Sequence, residues 1–229
     1  MAILGKMTRQ FFSVQCCALL LTVLLPHFLR GHRATHDPDS FACSSRNFIL
    51  QDFKKQPVVF SPDKTKSIQL TKDFKFRVKV ANAVISEFDI EDISAAIEIG
   101  WSPDSSHFFI SYSSGGAVGN YHVRLFRLTG QTLTENGTPL TVAERFKAKY
   151  WCEARGNNLL FLGWTPDSKV AFFVAEVYPT GDCGKDLGLY RGYAVRLEDR
   201  QILHVFGEKE TTSIEKTCRA SGRLKLPSR

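Results

Sequence analysis

The sequence lacks the short motifs that mark the commonest catalytic and cofactor sites. It has no His-Glu-x-x-His zinc motif, no Gly-x-Ser-x-Gly nucleophile elbow and no phosphate-binding loop. The glycine-rich stretch at 115–119 is expected to join two strands and opens no helix, which argues against dinucleotide binding. The sequence therefore points to no catalytic residue and to no cofactor, and it leaves enzymatic activity undecided.

Acidic residues are missing from both ends of the chain. Residues 1–34 hold no Asp or Glu, and the last fourteen residues hold five basic residues and no acid. Four of the 30 basic residues fall within 1–34, so the rest of the chain has 26 basic and 23 acidic residues, a net charge of +3 instead of +7. Because the excess charge lies in a leader and a tail, we expect no nucleic-acid binding.

Residues 1–34 have the order of a secretory signal. Lys6 and Arg9 precede an uncharged run at 11–29, and a basic region followed by an apolar one is typical of a signal peptide. The run is also close to the ~20 residues that span a bilayer, so a retained N-terminal anchor is the alternative. We expect an exported protein, periplasmic or secreted, that meets a membrane only through this segment if it is not cleaved.

Cysteine pairs at metal-binding spacing are absent as well. Four cysteines follow residue 34, and no Cys-x-x-Cys knuckle occurs among them, which argues against a zinc site. An even number of cysteines in an exported chain instead indicates two disulfides.

What the sequence does contain is a repeated turn. Residues 100–105 read Gly-Trp-Ser-Pro-Asp-Ser, residues 163–168 read Gly-Trp-Thr-Pro-Asp-Ser, and residues 60–63 are a weaker copy, Phe-Ser-Pro-Asp. Proline presets the dihedral angle at the second position of a turn, and Ser, Thr and Asp side chains can bond to nearby backbone N–H groups. The flanking runs are short, aromatic and β-branched, as in strands. Each copy therefore predicts a β-hairpin with an aromatic residue at its mouth.

Further matches downstream of the two full turns extend each hairpin to four strands. Residues 121–125 and 193–197 share the pattern Tyr-x-Val-Arg-Leu, and another strand-like run follows each. Four antiparallel strands form the blade of a β-propeller. The aromatic residues at 60, 101 and 164 are 41 and 63 residues apart; the first spacing fits the ~40–45 residues of a WD40 blade, and the second includes an insert.

On these residues the chain resembles the WD40-like repeats of TolB-type β-propellers, whose hallmark is an aromatic-Ser-Pro-Asp-Gly turn between the first two strands of a blade. The resemblance covers 94–135 and 158–206 well and the first repeat poorly. All three copies lack the glycine after Asp and have Lys64, Ser105 and Ser168 instead. Three repeats are fewer than the ~4–8 blades of a closed ring. The resemblance therefore implies a mainly β fold of antiparallel sheets, an open or incomplete propeller with one or two short helices.

The repeat residues have expected roles. The aromatic, proline and aspartate of the two full copies should be structural anchors, with both indoles buried between neighbouring sheets; these residues are Trp101, Pro103, Asp104, Trp164, Pro166 and Asp167. Loop-rich blade ends suit binding, so the leading hypothesis is an exported non-enzymatic module that binds a protein, a peptide or an envelope component. The alternative is a structural accessory domain of an envelope enzyme or transport machine.

Composition divides the rest of the chain. Residues 35–45 are a polar linker, 46–207 are the propeller-like domain, and 208–229 are a helix with a basic tail. Thr141 and Glu144 form a capping-box pattern, which predicts a helical insert at about 141–152 between the two full repeats.

The positions of the four cysteines within these units predict which of them pair. Cys152 ends the insert and Cys183 lies in the long loop of the last repeat, so a bond between them would hold two insertions together. Cys43 and Cys218 flank the folded body, and joining them would hold its two ends, where fraying is otherwise expected. We expect these two pairs, and the pairing Cys43–Cys152 with Cys183–Cys218 is the alternative.

The loop at 178–186 holds the most site-like polar residues. Tyr178, Asp182, Lys185 and Asp186 are candidates for a binding loop, and acidic side chains on a glycine-rich loop could bind a cation. A hydrolase that uses Asp182 and Asp186 is therefore a third hypothesis, although it needs a base that the sequence does not supply. A solvated turn is the simpler interpretation, and we assign no metal site.

Peptide mapping under non-reducing conditions tests the disulfide assignment. We expect one linked peptide that contains Cys152 and Cys183 and another that contains Cys43 and Cys218. A linked peptide with Cys43 and Cys152 would contradict the assignment, and four free thiols would contradict export to an oxidising compartment.

Overall fold

The repeated turns lie where strands end, so the strand boundaries follow the sequence closely. This computed structural model describes residues 42–43, 48–50, 56–91, 93, 97–114, 120–150, 157–178 and 183–227. The predicted leader at 1–34 and most of the linker lie outside these residues, and their boundaries stay predictions. In the part of the chain that is described, no helix has the length and apolar character needed to cross a membrane.

Each repeat folds into an antiparallel sheet whose strands pair in chain order. A short strand, β1 (Phe48–Leu50), precedes the repeats. The first sheet contains β2 (Val58–Phe60), β3 (Lys66–Leu70), β4 (Phe76–Val80) and β5 (Ala83–Phe88). The second contains β6 (Ile97–Trp101), β7 (His107–Ser113), β8 (Tyr121–Thr129) and β9 (Thr132–Glu135). The third contains β10 (Asn157–Trp164), β11 (Val170–Val177), β12 (Tyr190–Arg196) and β13 (Ile202–Phe206).

The three sheets stack face to face in chain order, with the second sheet in the middle. Strand β7 demonstrates this arrangement, because neighbouring residues enter different cores. Phe108 and Ile110 pack with residues of the first sheet, whereas Phe109 packs with residues of the third. A strand that is buried on both faces has a continuous apolar run instead of an alternating one, which accounts for the sequence His-Phe-Phe-Ile at the start of β7.

A helix between the second and third sheets differs from its predicted bounds. Helix α1 spans Thr138–Lys147 and therefore begins three residues before Thr141. The earlier start follows from hydrogen bonds just ahead of the helix: the side chain of Asn136 accepts from the backbone N–H and the hydroxyl of Thr138 at 3.0 and 2.6 Å. Proline follows in the first turn, where its missing N–H costs nothing. The Thr141 hydroxyl donates to the carbonyl of Gly137 inside this turn, so the predicted capping box does not form. The buried Val142 and Phe146 join the core between the sheets.

A second helix covers the outer face of the third sheet. Helix α2 spans Glu208–Ser221, and its buried Ile214 and Cys218 pack against β10, β11 and β12. The helix comes close to β12 at Gly192, where a Cβ atom would lie 2.5 Å from Phe172 and 2.8 Å from the hydroxyl oxygen of Thr211. Glycine at this position therefore permits the close approach of helix and sheet.

Both ends of the described chain meet at the third sheet. The structure contains the expected Cys43–Cys218 disulfide, with Cα atoms 5.5 Å apart and a sequence separation of 175. Next to this bond, the N–H of Cys43 donates to the carbonyl of Leu162 on β10 at 2.8 Å. Cys183 is also disulfide-bonded, but Cys152 lies outside the described residues, so the second pair stays a prediction.

The predicted fold class is confirmed: the protein is mainly β, with antiparallel sheets in an open, propeller-like stack. The described residues form three repeat sheets and no complete ring. Strand β1 pairs antiparallel with β6 and adds a fifth strand to the edge of the second sheet. The segment before the first repeat therefore covers sheet edges, as expected for an array that terminal segments complete.

The tryptophan of each full repeat packs against the preceding sheet. Trp101 is 4% exposed, lies in the core shared with the first sheet and donates its indole N–H to the carbonyl of Val59 at 3.2 Å. Trp164 is 5% exposed and lies in the core shared with the second sheet. The matching residue of the first repeat, Phe60, has no sheet before it and is 61% exposed.

We expect Trp101→Ala and Trp164→Ala each to lower the free energy of unfolding by ~3–5 kcal/mol, because each removes a large buried ring and leaves a cavity. Phe60→Ala is the matched control at the same repeat position and should cost less than ~0.5 kcal/mol. Chemical denaturation of the three variants measures the difference. Equal losses at all three positions would contradict the assigned packing.

Candidate functional site

The three turns build the same small network of hydrogen bonds. In each, the Ser or Thr before the proline donates its hydroxyl to the Asp carboxylate at 2.6 Å, for the pairs Ser61–Asp63, Ser102–Asp104 and Thr165–Asp167. The carboxylate also accepts a backbone N–H two residues further on. These bonds are the physical reason for the Ser/Thr-Pro-Asp pattern, because they fix the turn without help from other parts of the chain.

The residue after Asp has a left-handed backbone in every copy, although none of the three residues is glycine. Lys64, Ser105 and Ser168 have φ values of 61°, 62° and 59°, a conformation that costs an L-residue ~1–2 kcal/mol. The two serines have a compensating contact. The hydroxyl of Ser105 accepts the N–H of Asp63, and that of Ser168 accepts the N–H of Asp104, both at 3.1 Å. We call these two bonds the turn latches, since each ties one sheet to the sheet before it.

A groove runs between the second and third sheets at the end that carries the turns. Its volume is about 690 Å³. The lining residues come from the turns and from the ends of β8 and β12; those with charged or titratable side chains are Asp104, His107, Arg127, Asp167, Lys169, Arg196 and Glu198. The groove therefore presents charges of both signs along a boundary between two sheets.

The carboxylates of Asp104 and Asp167 are held in their ionised form. Burial opposes ionisation of Asp104, but hydrogen bonds from Ser102 and Ser106 outweigh it, and the pKa of this carboxyl lies below its usual range. The hydrogen bond from Thr165, followed by that from the N–H of Lys169, lowers the pKa of Asp167. Both carboxylates accept hydrogen bonds within their own turns, and such acceptors are poor general acids at neutral pH.

Ser106, His107 and Asp104 are close together but are not arranged as a catalytic triad. The hydroxyl of Ser106 lies 2.7 Å from Oδ2 of Asp104 and 2.7 Å from Nδ1 of His107. In a triad the carboxylate orients the imidazole, whereas here it contacts the serine. Burial also lowers the pKa of His107, with Arg127 lowering it further against an opposing effect of Asp104. The trio therefore supports the turn instead of activating the serine.

Sequence-predicted site residues are dispersed in the structure. Asp104 and Asp167 line the groove. Pro103 and Pro166 line a separate pocket of about 200 Å³ next to Cys43. Tyr178 is 5% exposed at the end of β11, so it offers little surface to a ligand.

The remaining loop candidates are only partly described. Lys185 and Asp186 lie in a short 3₁₀ helix, Gly184–Asp186. Asp182 lies outside the described residues, and the hypothesis of a hydrolase that uses Asp182 and Asp186 stays untested. Within the described ranges, no group of three or more His, Cys, Asp or Glu side chains is placed to hold a metal ion.

Sequence reasoning missed the cations of the groove. Arg127 is exposed at the end of β8, and Lys169 is exposed after the third turn. Arg196 could have been found, because it belongs to the Tyr-x-Val-Arg-Leu pattern that the two full repeats share. In the second repeat the matching Arg124 pairs with Glu135, and in the third Arg196 pairs with Asp199. The arginine of the pattern thus forms an ion pair near the last two strands of both the second and the third sheet.

Comparisons with known proteins add little beyond this geometry. No family model matches the sequence, and no curated protein matches it. One solved structure with a partial likeness is that of TolB from Acinetobacter baumannii, with a TM-score of 0.32 and 16% identity. The matched region covers 72% of this chain and 33% of that TolB chain, so this chain spans about a third of it. The sheets and turns themselves define the class of protein, which is an open, propeller-like repeat protein.

We expect Ser105→Ala to lower the free energy of unfolding by ~1–2 kcal/mol, because the N–H of Asp63 loses its acceptor. Lys64→Ala is the matched control at the same turn position, where no latch forms, and should change stability by less than ~0.5 kcal/mol. Thermal or chemical unfolding measures both. If the two variants are equally stable, the latch does not hold the sheets together.

Proposed function

We propose that this chain is an exported, non-enzymatic β-sheet repeat module that binds an acidic segment of a partner protein in the groove between its second and third sheets. The observation that carries the proposal is the groove of about 690 Å³. This volume lies within the ~300–1,000 Å³ of typical ligand sites. Binding residues also concentrate on the loop-bearing ends of rigid sheets.

Two exposed cations of the groove suit an acidic partner. The carboxylates of Asp104 and Asp167 are occupied by hydrogen bonds from their own turns. Among the described residues, the side chains of Arg127 and Lys169 have no ion-pair partner, and both are exposed. Carboxylates of an incoming segment could therefore pair with these two cations, while Glu198 would disfavour a second acidic group beside it.

A binding role fits the chemistry of the groove better than a hydrolytic one. The buried imidazole of His107 has a lowered pKa, and Ser106 faces the carboxylate of Asp104. Neither arrangement supplies an activated nucleophile with a base that a third group orients. The proposal of export rests on the basic and apolar order of residues 1–34 and on the Cys43–Cys218 disulfide, since such bonds persist in oxidising compartments.

The test compares the wild-type chain with a groove variant, Arg127→Glu with Lys169→Glu. Each immobilised protein captures partners from the exported-protein fraction of the source organism. A captured protein is then purified, and its Kd is measured for every variant at low and high salt. The matched control is Lys72→Glu with Lys216→Glu, which changes the same charge at exposed positions away from the groove.

We expect one stoichiometric partner whose affinity falls by ~10-fold or more in the groove variant and stays unchanged in the control. Raising the salt concentration should weaken the wild-type complex, because exposed charge pairs are screened. Equal affinity for the groove variant and the wild type would overturn the assigned surface. Metal-dependent turnover on a hydrolase panel, lost in Asp186→Ala, would overturn the non-enzymatic assignment.

A further inference from the structure

A second pocket lies at the other end of the third sheet, where helix α1 ends beside the start of β12. Its volume is about 280 Å³. The lining residues are Arg145, Ala148, Lys149, Tyr150, Arg191, Tyr193 and Val205. Three of these seven residues are cationic and none is acidic. We propose that this pocket, which we call the basic pocket, binds the oxyanion of a small molecule, namely a phosphate, sulfate or carboxylate group.

The cations of the basic pocket converge from separate elements. Arg145 belongs to the last turn of α1, Lys149 follows that helix, and Arg191 belongs to β12. Basic residues near a helix C-terminus are ordinary, because they interact favourably with the helix dipole. The dipole explains the presence of Arg145, but it does not explain why Arg191 on a neighbouring strand faces the same cavity.

A tyrosine ring holds two of these cations in place. The ammonium of Lys149 and the guanidinium carbon of Arg191 each lie 5.3 Å from the ring centre of Tyr150. A cation within ~6 Å of an aromatic face is attracted by the electrons of the ring. Tyr150 itself packs on Phe146 of α1, with ring centres 5.1 Å apart. The contacts therefore position the positive charges before any ligand arrives.

The charge of the basic pocket is only partly balanced. Arg191 pairs with Glu208 at 3.4 Å, and both side chains are about a quarter exposed. The charged groups of Arg145 and Lys149 have no carboxylate partner among the described residues. An oxyanion in the cavity would pair with both and would relieve the repulsion among three like charges.

Tyr193, whose side chain lines the same cavity, is the second and independent observation. Tyr193 is 2% exposed, lines the pocket and makes no hydrogen bond to any described residue. Burial raises the pKa of Tyr193 to about 12, with a further increase from Tyr150 and opposing effects of Arg191 and Arg145. The phenol therefore keeps its proton at neutral pH. Its hydroxyl can therefore donate a hydrogen bond to an oxyanion bound in the cavity.

The basic pocket is separate from the groove. The pocket lies at the first half of β12, with Arg191 and Tyr193, whereas the groove begins at Arg196. Five residues of extended chain separate Arg191 from Arg196, which corresponds to ~17 Å. Substitutions in one site should therefore act independently of the other, and failure of either proposal leaves the other standing.

Calorimetric titration of the full chain with inorganic phosphate, sulfate and acetate tests the proposal, with sodium chloride holding the ionic strength constant. We expect saturable binding of at least one of the three anions. Preference for phosphate or sulfate assigns a tetrahedral oxyanion, and preference for acetate assigns a carboxylate. Absence of saturable binding by all three anions would overturn the proposal.

Two variants place the bound anion. Tyr193→Phe keeps the ring and its packing but removes the donor, and it should weaken binding about three- to tenfold. Arg145→Gln with Lys149→Gln should weaken it by at least ~10-fold. Lys72→Gln with Lys225→Gln is the matched control and should bind as the wild type does. Unchanged affinity in Tyr193→Phe and in the Arg145/Lys149 variant would show that an adventitious ion binds elsewhere, and would also overturn the proposal.

Discussion

An open stack of sheets exposes surfaces that a closed propeller hides, and much of this structure serves to cover those of the second and third sheets. Both faces of the middle sheet are already buried by the neighbouring sheets. The outer face of the third sheet is covered by α2. The free edges of β6 and β10 receive hydrogen bonds from the segment before the first repeat, at 48–50 and at Cys43. The Cys43–Cys218 bond joins the two covering elements.

The open stack also explains how the three copies of the turn differ. A Ser/Thr-Pro-Asp turn fixes its own backbone, but a stack also needs contacts between neighbouring turns. Ser105 and Ser168 supply them by accepting an N–H from the preceding copy. The first copy has no preceding sheet, and there the equivalent positions are Lys64 and the exposed Phe60. Serine at these two positions is thus part of the packing: its backbone is left-handed, which is easier for glycine, but its hydroxyl forms a bond between sheets.

The two candidate binding surfaces have different origins in the repeat. The groove is lined by residues of the second and third turns and of the ends of β8 and β12. The basic pocket exists because α1 is inserted between the second and third sheets and ends beside β12. One sheet therefore serves two chemically different surfaces, a mixed-charge groove at one end and a cationic cavity at the other. A rigid β framework suits this use, because it positions side chains from separate segments.

Local sequence determined the strands, their turns and the number of repeats, because these depend on residues that are close together in the chain. The three Ser/Thr-Pro-Asp motifs, the apolar runs beside them and the buried tryptophans could all be identified from the amino-acid pattern alone. The position of Cys43 and Cys218 at the two ends of the body likewise indicated their pairing. Helix α1 begins three residues before its predicted start, and this difference also has a local cause, the hydrogen bond that the side chain of Asn136 accepts from the N–H of Thr138.

Only the tertiary structure decided which side chains share a site. Arg145, Tyr150 and Tyr193 meet because a helix packs against a strand far along the chain, and no spacing in the sequence encodes that approach. The groove likewise combines Arg127 with Lys169 across two sheets. The physical reason is that hydrogen bonds within a turn depend on nearest neighbours, whereas the cavities depend on how three sheets and a helix fill space together.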